Sequence, residues 1–382
     1  MTILVTDVHY RMAVSPLREL GKAGHRIIAC ELDKYPHPVG FACRYISDTA
    51  VLPESSYCAS LLALCEKTAK ADGALPVLLP MGAGTLRLVC ENRAAFEEVS
   101  RFLIPEPDAL SLLNDKAMLS AFARMHGVPV PKSFGKAADA TDCEYFAALP
   151  LPCVVKPLCG EQLGLRAAER YRICRTPEEL QTAFRHFEAL AGQPPVVQEY
   201  LEGEALGCSV LCRNGEILAS ICHRRIREYP TSGGPSSCCE AIDREDLVAY
   251  AAKLVEALGF SGLAMFEFKC TSDGQPRLLE CNPRVWGTFP LTAAAESNFI
   301  TLWAQASAGE ELDDFITGKP VKMQYLPADF AGIPGYWKAG NRHLVWGAVA
   351  DVFAAKRGIG SLADPGPGFR YFLNLFGRSR NP

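Results

Sequence analysis

What this sequence lacks narrows its class first. Its 16 cysteines form no C-x-x-C pair and no Cys/His cluster at zinc spacing, so nothing supports a metal site built on thiolates. Many of them (Cys30, Cys43, Cys90, Cys153, Cys208, Cys222, Cys270) sit inside apolar runs, as small hydrophobic filler does in a reducing compartment. The turn after the first apolar strand reads Thr6-Asp7-Val8-His9-Tyr10-Arg11, without G-x-G-x-x-G, which argues against a dinucleotide site. Lys and Arg do not cluster outside 223–227 and the extreme tail, and the net charge is −4, so no basic field marks a nucleic-acid partner. The longest late apolar stretch, Leu344–Ala355, contains Asp351 and falls short of the roughly 20 residues of a membrane span. The chain opens directly on a strand, with no basic n-region or cleavage site. A cytoplasmic protein with no nucleic-acid and no membrane partner is expected.

What is present reads as two kinds of αβ structure. The 382 residues, 49% hydrophobic and 21% charged, have an ordinary globular composition with room for two or three cores. Over the first hundred residues, apolar strands at Ile3–Val5, Arg26–Glu31, Asp48–Leu52 and Val77–Leu79 alternate with helical patterns at Val14–Lys22 and Ser56–Ala71. That alternation implies a parallel sheet covered on both faces. Pro105, Pro107 and Leu113-Asn114-Asp115-Lys116 mark a boundary, with Asn114 or Asp115 capping a helix to His126. Val128-Pro129-Val130-Pro131 is an extended link.

The middle third turns antiparallel. Strands are expected at Pro152–Lys156, Arg172–Cys174, Val196–Leu201, Leu206–Arg213 and Glu216–Arg227, the last two joined by the hairpin signal Asn214-Gly215. Thr176-Pro177-Glu178-Glu179 opens a helix. A Gly/Pro/Ser loop over 229–238 precedes a helix at Asp243–Leu258, and Leu263–Cys270 with Arg277–Asn282 forms a hairpin turned by Asp273-Gly274. Patterning alone does not order the last seventy residues or so.

The final hairpin carries the sharpest chemical signal. Alternation puts Leu263, Met265, Glu267 and Lys269 on one face, and Leu278, Glu280 and Asn282 on one face of its partner. Glu267, Glu280 and Asn282 are then three hard oxygen donors in one patch, suited to Mg²⁺ bridging phosphates; the plainer alternative is two glutamates on solvated strand faces. Lys156, ending a buried strand before a glycine-containing loop, is placed to neutralise phosphate or simply to reach water. Val196–Glu204 is a strand breaking into a short segment whose backbone could read an adenine edge, or an edge strand running into a turn.

Taken in order, Asp115-Lys116, Val154-Val155-Lys156-Pro157, Gln198-Glu199-Tyr200-Leu201-x-Gly203-Glu204, Phe266-Glu267-Phe268 and Glu280-x-Asn282-Pro283-Arg284 resemble the ATP-grasp superfamily over roughly residues 105–300. His-Arg-Arg (223–225), Tyr-Pro-x-x-Gly-Gly-Pro-Ser (229–236) and Glu-x-Asn-Pro-Arg-x-Trp-Gly (280–287) resemble its carbamoyl-phosphate-synthase-like or carboxylate–amine ligase branch. The resemblance implies α/β plus α+β architecture: a preceding βα domain at 1–105, an ATP-grasp domain at 106–310 whose lid subdomain spans about 150–204, and a C-terminal extension at 311–382. It implies ATP and Mg²⁺, with Mn²⁺ as a substitute. Lys116 and Lys156 would bind phosphates; Gln198, with the backbone of Glu199 and Leu201, would read adenine; and Glu204 would hold the ribose. Glu267, Glu280 and Asn282 would hold the metal. Arg284 would contact the transferring phosphoryl group or the acid. Read from the residues, alternation puts His223, Arg225 and Arg227 on one face; if it is the face of the metal sheet, Arg225 and Arg227 would hold a substrate carboxylate or the acyl phosphate, and a solvated basic edge is the other reading. The loop over Cys159–Arg166 departs from the superfamily in carrying Glu161 where small residues are usual.

The implied activity is an ADP-forming ligase that activates a carboxylate as an acyl phosphate and joins it to an amine, both small molecules. The Gly/Pro/Ser loop over 229–238 reads as a lid with Gly233-Gly234 as its flexible point, or as an ordinary surface loop. A homodimer is compatible with this reading. Two alternatives stand beside it: a bicarbonate-using carbamoyl- or carboxy-phosphate-forming enzyme, and a non-catalytic nucleotide-binding protein.

Overall fold

The computed structural model describes residues 1–135, 141–158, 163–165, 169–231, 233–312 and 316–376. Strands β1 (Thr2–Val5), β2 (Arg26–Leu32), β3 (Asp48–Leu52) and β4 (Val77–Leu79) form the expected parallel sheet, in the order β3-β2-β1-β4. Their near-continuous apolar side chains feed two cores, one on each face, because a parallel sheet crossed by helices must bury both faces. Helices Val14–Lys22 and Tyr57–Asp72 are where the periodicity puts them. The helices Ala83–Glu91 and Arg93–Val99 are not among the expected elements, although Leu86, Val89 and Cys90 of the first stand at helical spacing and are buried.

A small sheet follows, β5 (Cys153–Lys156), β6 (Arg172–Cys174) and β7 (Val196–Glu199), in the order β6-β5-β7. Helices Asp142–Ala148 and Pro177–Ala191 enclose a separate core with it around Phe146, Phe184 and Phe187. Thr176 caps the second helix by accepting from the Glu179 amide, with Pro177 in the first turn.

The main sheet contains β8 (Glu204–Arg213), β9 (Glu216–Glu228), β10 (Ser236–Ile242), β11 (Gly262–Cys270), β12 (Pro276–Asn282), β13 (Ile316–Thr317), β14 (Lys322–Gln324) and β15 (Lys356–Arg357). Its order is β12-β11-β8-β9-β10-β14-β15, with β13 beside β9. The β8–β9 turn has both Asn214 and Gly215 at positive φ, as the Asn-Gly signal requires. One face packs on helix Glu245–Leu258 and on Lys116–Met125 through Phe266, Phe268 and Leu254. The other joins the N-terminal unit and the C-terminal segment in a shared core around Trp286, Phe289 and Trp303.

Three expectations change. Strand β10 begins at Ser236, so the loop expected over 229–238 is shorter; its Ser232 lies outside the described residues. The C-terminal segment is woven into the main sheet by β13, β14 and β15, and Met323, Tyr325 and Ile359 share a core with Ile3 and Trp303. Lastly, the β11–β12 pairing shifts register, so that Glu267 faces Glu280 while Phe268 faces Leu278. Leu279 is the extra residue of a bulge. Leu278 therefore joins the helix-covered core instead of sharing a face with Glu280 and Asn282. Among the described residues no helix is long and apolar enough to cross a membrane.

Candidate active site

The register of the main sheet assembles the site. Glu267 on β11 stands directly opposite Glu280 on β12 and opposite Gly207 on β8, which in turn faces His223 on β9. The row thus reads Glu280, Glu267, Gly207, His223. Gly207 is bare because a Cβ there would come 2.3 Å from the His223 ring. His223 is buried, and burial together with the Arg225 charge lowers its pKa to about 3, so the ring is neutral. Its Nε2 lies 3.3 Å from the Thr288 hydroxyl.

Cations converge on the acid pair from three elements. Lys116, at the start of helix Lys116–Met125, is 3.4 Å from Glu280, and Arg225 on β9 donates to Glu267 at 2.7 Å. Asp115 fixes the first turn of that helix by accepting from the amides of Ala117 and Met118. Lys156, at the end of β5, is buried; burial and the neighbouring Lys116 lower its ammonium to about 8, with Glu280 pulling the other way. Burial pushes the Glu267 carboxyl above its usual range, with Arg225 opposing and Glu280 adding to the shift. For Glu280 burial acts in the same direction, but Lys116, Lys156 and Arg225 outweigh it and hold the carboxyl below the usual range.

Asn282 completes the patch, with its amide nitrogen 3.4 Å from Glu267 and its oxygen accepting from Arg284 at 3.3 Å. Two carboxylates and an amide oxygen on adjacent strands are hard donors of the kind Mg²⁺ takes when phosphates and water fill its remaining positions. Two carboxylates at paired positions, contacted by Lys116, Arg225 and the Asn282 amide, fit such an ion.

Other sequence-predicted residues are placed differently. Gln198 is buried on β7 and donates to the Ser133 hydroxyl at 3.1 Å. The Glu199 amide is spent on the Lys132 carbonyl at 3.0 Å, so at most its carbonyl could meet a base. Leu201 lies in the bend between β7 and β8. Glu204 is not brought to the acid pair. Alternation puts it in line with Leu206, whose row holds Phe268 and Arg224, and its carboxylate lies 3.7 Å from Arg224. Ala205 shares the Gly207 face instead, and two acids act on Lys269 of that row: Glu228, and more weakly Glu202, raise its pKa against the depression by burial.

Arg227 is a clear correction. The β9–β10 pairing shifts register at this point, so alternation no longer ties Arg227 to Arg225. Its guanidinium is 3% exposed and bonded to both oxygens of Asp329 and to Asp351, and so is not available to a substrate. The glycine pair of the expected lid is also tightly packed: a Cβ on Gly233 would meet the Tyr171 hydroxyl, and one on Gly234 would lie 2.5 Å from the Tyr229 carbonyl oxygen. Of the loop expected over phosphate, Cys159–Gln162 and Arg166 lie outside the described residues.

One cluster escaped sequence reading. At the end of β1, Asp7 has positive φ and accepts from Thr6, Thr85 and the Gly82 amide, while Glu31 accepts from the His9 amide and lies 2.9 Å from its ring. Arg11, two residues on, donates to the Ser236 carbonyl where β10 begins. A polar turn after an apolar strand, at the carboxyl end of a parallel sheet, is the signal that could have found it.

The family described as ATP-grasp in the biosynthetic pathway with Ter operon matches residues 192–327. A carbamoyl phosphate synthase large chain of Thermomicrobium roseum is 26% identical over 258 residues, 65% of this chain and 23% of that one. A phosphoribosylamine–glycine ligase of Ralstonia nicotianae is 25% identical over 236 residues, 55% of this chain and 54% of that one. This chain thus spans 23% and 54% of the length of these two relatives. The crystal structure of N5-carboxyaminoimidazole synthetase from Staphylococcus aureus superposes with a TM-score of 0.64 at 16% identity, over 90% of this chain and 86% of that one. At that identity the likeness is one of fold.

Proposed function

We propose, from the ATP-grasp family model that matches residues 192–327 and from the fold shared with N5-carboxyaminoimidazole synthetase, that this chain is an ADP-forming ligase that activates a small carboxylate as an acyl phosphate and joins it to an amine. The observation that carries this reading is the cross-strand pair Glu267–Glu280 ringed by Lys116, Lys156 and Arg225. A carboxylate attacking a triphosphate brings two anions together, and such a ring neutralises both while keeping them aligned.

The roles divide by position. Lys116 and Lys156 bind phosphates. Gln198, the Glu199 carbonyl and the Leu201 backbone read adenine, and Glu202 replaces Glu204 as the acid for the ribose. Glu267, Glu280 and Asn282 hold Mg²⁺, which when bound screens the phosphate charge. Arg225, which donates to Glu267, would with Arg284 supply the cations that anchor the acid substrate. The loop after β9, packed on Tyr171, excludes water that would hydrolyse the acyl phosphate. Residues 1–105 form the preceding unit, 106–310 the nucleotide unit with its lid at about 150–204, and 311–382 an extension built onto the main sheet; the protein acts in the cytoplasm.

ADP release measured across amino acids and small acids, each with and without amines and with and without bicarbonate, tests the reading. Turnover that needs both an acid and an amine is expected. Turnover on bicarbonate alone would favour the carboxy-phosphate reading, and ATP binding with no ADP under any condition would overturn the enzyme assignment.

Two further results are expected. MgATP should bind about tenfold more weakly at about pH 9 than at about pH 7, because free Lys156 loses its proton near pH 8 and must regain it to meet phosphate. Calorimetric titration against pH checks this, and Lys156→Met should bind weakly without that slope. A slope unchanged in Lys156→Met would place the lysine away from phosphate. Arg225→Ala should raise KM for the acid about tenfold, as expected for a lost charge-assisted pair, with KM for ATP within about threefold of the parent. The opposite pattern would move Arg225 to the nucleotide side.

A further inference from the structure

Every exposed Phe and Trp among the described residues lies between Phe330 and Phe372. Helices Leu326–Lys338 and Arg342–Ala354 pack together as a hairpin, and their outward faces share one chemistry. On the first, Phe330, Trp337 and Lys338 are exposed; on the second, Arg342, Trp346, Val349 and Phe353, the last at 91%. Trp346, Val349 and Phe353 recur at helical spacing and so form one stripe. The Arg342 guanidinium lies 5.5 Å from the centre of the Trp337 ring, which joins the ends of the two faces. Helix Gly366–Phe376 adds a second stripe, Phe369, Phe372 and Leu373.

The charges on this segment are one-sided. Residues 326–376 contain three acids, Asp329, Asp351 and Asp364, and all three are buried and paired with Arg227, Lys322 or Arg18. Lys338, Arg342 and Lys356 are exposed. In a chain with net charge −4, the described surface of its last three helices therefore carries exposed cations and aromatics and no exposed acid.

We infer that this helical hairpin docks on an anionic lipid surface. Aromatic rings suit the boundary between headgroups and acyl chains, Lys and Arg stems extend their charge to the lipid phosphates, and carboxylates, which such a surface repels, are withdrawn into the fold. Among the described residues no helix is long and apolar enough to cross a bilayer, so the contact proposed is with its surface. An apolar protein partner would not require the withdrawal of acids, and a second copy of this chain, presenting the same cations, would meet like charge.

The test uses the full chain and sedimentation with vesicles of phosphatidylglycerol and phosphatidylcholine at roughly one to two, beside vesicles of phosphatidylcholine alone. Binding to the mixed vesicles, weakened by salt and absent from the neutral ones, is the expected result. Trp346→Ser with Phe353→Ser should lower partitioning at least about tenfold, and Arg342→Ser about fivefold, with thermal unfolding unchanged because these side chains are exposed. Fluorescence provides a second readout. Trp286 and Trp303 are buried, so an emission shift on adding vesicles reports Trp337 and Trp346. No binding to the mixed vesicles, binding indifferent to the substitutions, or a dimer in sedimentation velocity that Trp346→Ser with Phe353→Ser disperses would each overturn the inference.

Discussion

Glu280→Gln should lower ADP formation by about a hundredfold to a thousandfold while the protein stays folded. Glu280 stands opposite Glu267 and 3.4 Å from Lys116. Burial would raise its carboxyl pKa, but Lys116, Lys156 and Arg225 hold it below the ordinary range, so it is ionised at neutral pH. Gln keeps the shape and removes the charge. The site then loses one of its two anionic donors for a divalent cation and leaves Lys116 and Lys156 facing each other without their shared counter-ion. A loss of about 2.7–4 kcal/mol of transition-state stabilisation, the size found when one preorganised electrostatic group is removed, corresponds to that range in rate. Although flanked by protein, the Glu280 side chain is 38% exposed, so solvent screening should keep the cost to the fold within roughly 1 kcal/mol. Steady-state ADP release and urea unfolding on the same preparation check both halves. Full activity in the folded variant would remove Glu280 from the chemistry and with it the metal site.

Arg227→Ala should destabilise the fold by about 3–5 kcal/mol, the range for stripping one partner from a buried ion pair. Arg227 donates through Nε and Nη2 to Asp329 and through Nη2 to Asp351 at 2.7 Å. Ser237 and Gln324 also bond Asp329, and Lys322 bonds Asp351. Removing the guanidinium leaves two carboxylates buried without their main counter-charge. Burial works to raise the Asp351 carboxyl, yet its bonds to Arg227 and Lys322 hold it below the usual range. The stability it contributes is therefore present above the ordinary carboxylate pKa and is lost as pH falls through the lower, folded value. Arg227→Lys should recover only part of the loss, because an ammonium cannot reproduce the two-pronged contact with Asp329. Denaturant midpoints measure all of this. A loss below about 1 kcal/mol would mean that the network relaxes or is hydrated, and would reopen Arg227 to a role at the substrate.

The sheets, the hairpins and most of the constellation were legible in the sequence because each rests on local rules. Asn214-Gly215 dictates its turn, Thr176-Pro177 its helix start, and the apolar runs at Ile3–Val5 and Val77–Leu79 their buried strands. Glu267 and Glu280 could be aligned from alternation alone because the bulge at Leu279 falls just before Glu280 and leaves the Glu267–Glu280 pairing intact. The same rule failed one step away. Leu278 lies on the other side of that bulge, and Arg227 beyond a register shift against β10; neither shift carries a glycine or proline to announce it. Glu204 falls on the strand face opposite to Ala205 and Gly207, beside Arg224, which the motif order alone did not reveal.

By itself, then, the sequence determined the order of elements, the antiparallel hairpin that pairs the two glutamates, and the lysines that follow from motif order. Only the tertiary structure decided which cations reach those glutamates, that Arg227 serves the fold, and that the last seventy residues complete the main sheet while burying Tyr325 and turning Phe330, Trp337, Trp346 and Phe353 outward. The reason is separation along the chain. Arg227 meets partners 102 and 124 residues away, and whether a guanidinium faces a carboxylate, a substrate or water depends on what packs above its strand, which no local period encodes.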